Sequence, residues 1–127
     1  MNFSDEIVAL DANFYVFYYK IESNWTQDGE IDFKSVRSLW DLIKNVQESL
    51  ISKDVNLPQI DEAVLITDGM NAIVSQVVKD SDAIEDEFVF NGTEEQYSEI
   101  GRKIQYSLLE LEPHIVSARV ELSEMSQ

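Results

Sequence analysis

Two segments of the chain repeat apolar residues at the three- and four-residue spacing that is typical of an amphipathic helix. The first, "DFKSVRSLWDLIKNVQESLISK", begins at Asp32, a residue that can cap a helix, and ends at Lys53, where the helix dipole favours a cation. The pattern predicts a helix that ends before Pro58. Its predicted buried stripe consists of Phe33, Val36, Trp40, Ile43, Val46 and Leu50.

The second helical segment is "TEEQYSEIGRKIQYSLLELEP". Thr93 and Gln96 have the spacing of a capping box, and Pro113 is predicted to end the helix. Gly101 lies in the middle at a cost of about 1 kcal/mol relative to alanine, which predicts a close neighbour at that point. The predicted buried stripe consists of Tyr97, Ile100, Ile104, Leu108 and Leu111.

A third helix is predicted in "MNAIVSQVVKD", from Met70 to Asp80. Its apolar residues recur at helical spacing and do not alternate, and Asp68 lies near its expected cap. The alternative is a hairpin through Asp68-Gly69, which would make Met70–Asp80 a strand paired with "AVLIT". Near the N-terminus, two readings remain open: a helical turn capped by Ser4, or an extended segment from Ile7 to Leu10.

The remaining apolar segments favour β-strands. The segment Phe14–Glu22 is rich in aromatic and β-branched residues, and Ala63–Thr67 is a short apolar run like a central strand. Glu87–Asn91 is a third candidate, and Ile115–Leu122 alternates between apolar and polar residues. We therefore predict an α+β (or small α/β) fold, with about four strands alternating with three helices and a single-layer sheet packed by the helices.

The length predicts one globular domain over residues 1–127, with a loose C-terminal tail near 123–127. The chain has no cysteine, which removes disulfides, thiol nucleophiles and thiolate metal sites. It has no apolar run long enough to span a bilayer, and its first residues are acidic where a signal peptide is basic. These features predict a soluble cytoplasmic protein.

The net charge is the feature of the sequence that says most about the kind of partner to expect. The formal net charge is −16, and residues 54–100 hold twelve acidic residues and one basic residue. The stretch "DSDAIEDEFVFNGTEEQYSEI", from Asp80 to Ile100, has eight carboxylates and no positive side chain. A field of this sign repels nucleic acid and anionic membranes and attracts basic proteins. Asp61 and Glu62 are expected to join the same negative face.

Motifs for catalysis or cofactors are few. His114 is the single histidine, and the sequence contains neither a Walker loop nor Gly-x-Gly-x-x-Gly. "DSDAIEDE" begins like a calcium loop, but Ile84 and Glu85 stand where that loop needs an oxygen ligand and a glycine. We predict no catalytic residue, no metal site and no cofactor.

One stretch, "IVALDANFYVFY", resembles the opening strand of PIN-type nucleases, with Asp11 after an apolar run. The resemblance implies a carboxylate site that holds Mg²⁺ or Mn²⁺ and activates water, completed by Asp68 and by Asp61 or Glu62. The scarcity of basic residues for holding phosphates argues against this alternative.

The leading hypothesis is a non-catalytic acidic protein that inhibits or neutralises a basic partner, such as a nuclease or a nucleic-acid-binding protein. Immunity proteins, antitoxins and phage-encoded DNA mimics use this principle. A second hypothesis is a structural or assembly protein, in which the aromatic and the alternating strands form contacts within a homo-oligomer or homodimer. The predicted partner contacts are Asp82, Glu85, Asp86, Glu87, Glu94, Glu95 and Glu99.

Overall fold

The computed structural model describes residues 1–80, 90 and 92–126, and in this part of the chain the regular structure is helical throughout. The helices are α1 (Ser4–Val8), α2 (Phe14–Asp28), α3 (Phe33–Ser52), α4 (Pro58–Asp80) and α5 (Glu94–Met125). A π-helical segment (Ala9–Asn13) joins α1 to α2, so residues 4–28 form one continuous helical segment. The prediction of an α+β fold with four strands is therefore wrong.

The four long helical segments pack in a ring, in which each contacts the segments before and after it. Pairs of contacts show that neighbouring helices are antiparallel. Along α3 and α4, Gln47 reaches Asp61 and Trp40 reaches Asp68. At the seam between the first and last helices, Asp11 reaches Arg119 and Tyr15 reaches Glu112. This is the arrangement of an up-down-up-down four-helix bundle, with neighbours joined by short loops at residues 29–32 and 53–57.

Helix α5 runs through Pro113, which was predicted to end it, and includes the predicted strand Ile115–Leu122. Its buried residues advance by alternating steps of three and four, which keeps one face toward the core. Pro113 is exposed, so the Leu109 carbonyl that loses its helical hydrogen bond lies on the solvent side, where water can replace that bond. The buried positions are Gly101, Ile104, Leu108, Leu111, Ile115, Ala118 and Leu122.

The close neighbour predicted at Gly101 is Trp25 of α2. A Cβ atom at Gly101 would overlap atoms of the Trp25 ring, far inside van der Waals contact. The absence of a side chain at Gly101 therefore lets the indole ring pack directly on the α5 backbone. Tyr97 also contacts this ring and accepts a hydrogen bond of 2.6 Å from the Ile31 backbone N–H.

Helix α4 confirms the helical reading of Met70–Asp80, and the hairpin alternative is wrong. The helix begins at Pro58, so the apolar run Ala63–Thr67 lies in its second and third turns rather than in a central strand, and Asp68 lies mid-helix rather than at a cap. The run is apolar because α4 packs between α3 and α5: Ala63 and Thr67 are buried, whereas Leu65 is exposed.

The aromatic segment Phe14–Glu22 lies in helix α2 rather than in a strand, and its buried residues recur every three or four positions, as they do on one face of a helix. From Glu6 to Tyr18 the buried residues recur every four positions, which in a pure α-helix would rotate the stripe by about 120°. One extra residue in the π segment offsets about 100° of that drift, so Glu6, Leu10, Phe14 and Tyr18 share the buried face. Of the two interpretations near the N-terminus, the helical one is confirmed, but the prediction that Ser4 caps the helix is wrong, because Ser4 is the first residue of α1 and Phe3 occupies the cap position.

Helix α3 follows the sequence prediction at both ends. Asp32 caps it by accepting hydrogen bonds from the Ser35 backbone N–H at 3.0 Å and the Ser35 hydroxyl at 2.7 Å. The predicted stripe needs one correction, because Leu39 is buried in place of Trp40. Trp40 is half-buried and its indole N–H donates to Asp68 at 2.6 Å.

Candidate functional site

Three of the seven predicted contact residues lie in the first turns of α5. Glu94, Glu95 and Glu99 are all exposed, and we call these three carboxylates the acidic end of the bundle. The capping box predicted before them is confirmed: Thr93 Oγ1 accepts from the Gln96 N–H at 3.1 Å, and Gln96 Oε1 accepts from the Thr93 N–H at 2.9 Å. Glu94 and Glu95 also complement the positive end of the helix dipole.

The other four predicted contacts, Asp82, Glu85, Asp86 and Glu87, lie outside the described residues. The predicted strand Glu87–Asn91 does so too, apart from Phe90, which is not in a strand. Phe90 packs against Tyr97 of α5 with a centroid distance of 5.2 Å. The seven predicted residues lie within eighteen positions of the sequence, and the structure describes three of them.

Two basic residues stand one turn beyond the acidic end. Lys103 Nζ lies 3.3 Å from Glu99 Oε1, and Arg102 lines a surface recess with the three carboxylates and Ser98. The side chains of Glu99 and Lys103 are 61% and 62% exposed, and such a pair contributes only about 0.3–0.5 kcal/mol. The Glu99 carboxylate therefore remains accessible to a partner. Arg102 and Lys103 nevertheless offset some of the negative charge, which the sequence of residues 80–100 alone does not show.

Asp61 and Glu62 do not join this face. They lie near the start of α4, Asp61 in its first turn and Glu62 directly after it, whereas the acidic end is beside the last turns of that helix, near Gln76 and Val77. Fifteen residues of helix separate Asp61 from Gln76, a distance of about 22 Å. The antiparallel packing thus places the two acidic groups toward opposite ends of the bundle.

The carboxylates suggested by the nuclease resemblance lie on different seams. Asp11 forms an ion pair of 3.2 Å with Arg119 at the seam with α5, and Asp68 binds Trp40 at the seam between α3 and α4. These two seams are on opposite sides of the ring of helices. Among the described residues there is no group of three or more His, Cys, Asp or Glu residues that could hold a metal ion.

A buried ionisable group that the sequence prediction missed lies at the other end of the bundle. Glu6 is 2% exposed, and its two carboxylate oxygens accept hydrogen bonds of 2.8 and 2.7 Å from Lys53 Nζ. Ser49 Oγ donates to the same carboxylate at 2.9 Å. Burial raises the pKa of Glu6, but the hydrogen bonds from Lys53 and Ser49 outweigh that effect and lower it below its usual 4.5.

A sequence signal for this pair existed. Glu6 stands at a core position of the apolar stripe, three residues after Phe3 and four before Leu10, where a charge needs a partner. Lys53 Nζ also donates to the Asn2 carbonyl at 2.9 Å and lies over the Phe3 ring at 5.4 Å. The pair therefore ties the start of α1 to the end of α3.

Tyrosines line the seam between α2 and α5. Tyr15 donates a hydrogen bond of 2.9 Å to Glu112, and burial together with this bond raises the Tyr15 pKa. Tyr18 is 4% exposed, and burial, followed by the nearby Glu112 and Glu22 carboxylates, raises its pKa to about 12. His114, the single histidine, is half-buried within α5 rather than at a helix–strand junction.

The raised pKa of Tyr18 predicts a loss of stability in alkali. Since the unfolded pKa is about 10, the unfolded chain releases this proton first, and stability decreases as the pH rises from about 10 through the folded pKa. Two pKa units correspond to about 2.7 kcal/mol at the upper end. Urea denaturation across this range should show a shallower decrease for Tyr18→Phe than for the parent, and identical slopes would contradict the prediction.

None of the helices in the described residues combines the length and apolar character needed to span a membrane. No family model matches the chain, and no curated protein or solved structure shows significant similarity to it. A functional proposal therefore depends on the surface of the bundle and its charge.

Proposed function

We propose that the chain is a non-catalytic binding protein whose acidic end contacts a basic protein and inhibits or neutralises it. The supporting observation is the exposure of Glu94, Glu95 and Glu99 at one end of the bundle. In the sequence they follow residues 80–87, which hold five further acidic residues. Exposed carboxylates accept hydrogen bonds from arginine and lysine, and their field accelerates the approach of a basic partner.

The class of partner follows from the same chemistry. A nuclease or nucleic-acid-binding protein has a positive cleft because it holds phosphates, and a negative helical end can occupy such a cleft. This is the mode of action of immunity proteins, antitoxins and DNA mimics. We propose a cytoplasmic location, which fits the absence of cysteine from the sequence. We also propose neither direct nucleic-acid binding nor membrane binding, because the net charge of −16 repels nucleic acid and anionic lipid surfaces.

Two other hypotheses, a metal-dependent nuclease and a homo-oligomer built on exposed strands, have less support in the form in which the sequence suggested them. The aspartates of a metal-dependent nuclease are on opposite seams, each bound to a side chain of a neighbouring helix. The strands suggested for a homo-oligomer are helices, although their outward residues form a surface that is considered below.

The proposal is tested in two stages. The tagged protein is first used to isolate its partner from a lysate of the source organism, with washes at low and high salt. The isolated partner is then titrated against the triple variant Glu94→Lys/Glu95→Lys/Glu99→Lys. We expect about tenfold weaker binding and a shallower dependence on salt, because charge–charge attraction is lost.

A matched control reverses three exposed acidic residues elsewhere, in Asp41→Lys/Glu48→Lys/Glu62→Lys. Each variant changes the net charge from −16 to −10, because every reversal adds two charges. The control should bind more tightly than the acidic-end variant. Equal binding by the two variants would show that only the total charge matters, and parent-like binding by the acidic-end variant would refute the proposed site.

A further inference from the structure

The outward face of α5 has a second apolar stripe, opposite the one that forms the core. It advances by steps of three, four, three and four residues. Tyr106, Leu109 and Val120 are 66%, 57% and 51% exposed, so the bundle itself does not cover them. The stripe consists of Tyr106, Leu109, Pro113, Val116 and Val120.

The neighbouring first helical segment has a similar stripe. Val8, Val16 and Tyr19 are 53%, 52% and 57% exposed, and Ala12 is exposed between them. This stripe is centred near residue 14, and the α5 stripe is centred on residue 113. Because Tyr15 binds Glu112 across the seam, both centres lie at the same level of the bundle.

This face is also nearly neutral. Residues 102–120 of α5 hold three basic and two acidic residues, within a chain whose net charge is −16. Two molecules of such charge repel each other unless they meet where the charge is low. The face defined by the two stripes is therefore the surface on which copies of this chain can approach closely.

We propose that this face binds the same face of a second copy, with the two α5 helices antiparallel about a two-fold axis near Pro113. Such an axis places α5 on α5 and the first helical segment on its counterpart, so one axis pairs both stripes. Tyr106 then faces Val120 of the second copy, and Arg102 faces Glu124.

Charge selects the antiparallel arrangement. Arg102 precedes the stripe and Glu124 follows it, both exposed and eleven residues from Pro113. Antiparallel pairing places opposite charges together at both ends, whereas parallel pairing places like charges together. The α5 stripe is about 21 Å long, and a face of two helices at this length is small for a stable interface, so we expect micromolar affinity.

The apolar part of the interface is tested by sedimentation equilibrium of the full chain, at moderate salt to screen the net charge. The parent should approach twice the monomer mass as its concentration rises. Leu109→Ser/Val120→Ser should weaken the dimer at least about tenfold, and the control Leu65→Ser/Ile51→Ser should not, although its residues are at least as exposed. A parent that stays monomeric, or a dimer weakened equally by both variants, overturns the proposal.

The antiparallel register is tested by a charge exchange. Arg102→Glu and Glu124→Arg should each weaken the dimer, because each places like charges together. The double variant Arg102→Glu/Glu124→Arg should restore it, since opposite charges face again. If each single variant weakens the dimer and the double variant weakens it further, the two residues do not face each other and the proposed arrangement is wrong. Circular dichroism confirms that every variant remains helical.

Discussion

Replacing Lys53 by methionine should destabilise the bundle by about 3 kcal/mol near neutral pH, since removing one partner of a buried ion pair leaves the other uncompensated. The estimate is at the low end of the range for such pairs, because Lys53 retains 31% exposure. Glu6 would keep its hydrogen bond from Ser49 but lose both bonds from Lys53. Urea denaturation followed by circular dichroism measures the change.

The pH dependence separates this electrostatic effect from a packing defect. In the parent the pKa of Glu6 is lowered, so its contribution to stability is complete above the unfolded pKa and is lost as the pH falls through the folded pKa. In the variant, uncompensated burial should raise the Glu6 pKa, and protonation then relieves the defect. The difference in stability between parent and variant should therefore begin to shrink above pH 4.5, as the pH falls through the raised Glu6 pKa of the variant, and should continue to shrink down to the lowered Glu6 pKa of the parent.

Two further variants complete the comparison. Lys103→Met removes a lysine from the exposed pair with Glu99 and should change stability by no more than about 0.5 kcal/mol. Glu6→Gln/Lys53→Met removes both buried charges and should recover most of the loss. A destabilisation by Lys53→Met that is independent of pH, or no recovery in the double variant, would contradict the interpretation.

Alanine at the two helical glycines Gly101 and Gly69 should change stability in opposite directions. Gly101→Ala places a methyl group on top of several atoms of the Trp25 ring, so the overpacking cost should be about 3 kcal/mol, at the upper end of the usual range, which exceeds the gain of about 1 kcal/mol in helix propensity. Apart from the two adjacent residues and the backbone of its own helix, no atom lies within 4 Å of the position that a Cβ would take at Gly69, so Gly69→Ala should stabilise α4 by up to about 1 kcal/mol. Thermal and urea denaturation measure both.

The contact itself is tested by a double-mutant cycle. Trp25→Leu alone should destabilise the bundle because it empties space between α2 and α5. In that background Gly101→Ala should cost less than in the parent, since the rigid ring no longer occupies the position. Additive effects would show that the methyl group and the indole do not compete for the same space.

The capping signals at the starts of α3 and α5 were readable from the sequence, whereas the cap predicted near Asp68 and the helix end predicted at Pro113 were wrong. Asp32 and Thr93 were predicted as caps, and both accept the expected hydrogen bonds, because capping depends on side chains within three residues. The prediction that Trp40 rather than Leu39 is buried was wrong because of a contact between two helices. The indole N–H needs a partner, and Asp68 of the neighbouring helix provides one at the surface.

The fold class was predicted wrongly because a short apolar run can fit both the two-residue period of a strand and the 3.6-residue period of a helix. Val116, Ala118, Val120 and Leu122 alternate as in a strand, but Ala118 and Leu122 also continue the helical stripe of α5. Pro113 concealed that continuity, because a proline on the solvent face costs a helix less than one facing the core. The aromatic segment in α2 was misread for a similar reason, since β-propensity depends strongly on packing.

The candidate site was predicted in part. Exposure of the three glutamates followed from their position opposite the buried stripe of α5, and the stripe was readable. The positions of Asp61 and Glu62 were not, because they depend on the antiparallel order of α4 and α5, which only the tertiary structure specifies. The identity of a partner depends on a second molecule, which this sequence does not encode.

The π segment has a consequence for comparing this chain with related sequences. A homologue whose first helix is purely α-helical would need one residue fewer between Ala9 and Asn13 to keep its apolar face toward the core. Alignment without a gap at that point would match the core positions on one side of the segment with surface positions on the other. A single-residue gap inside a continuous helix, which alignments normally penalise, is therefore the correct correspondence here.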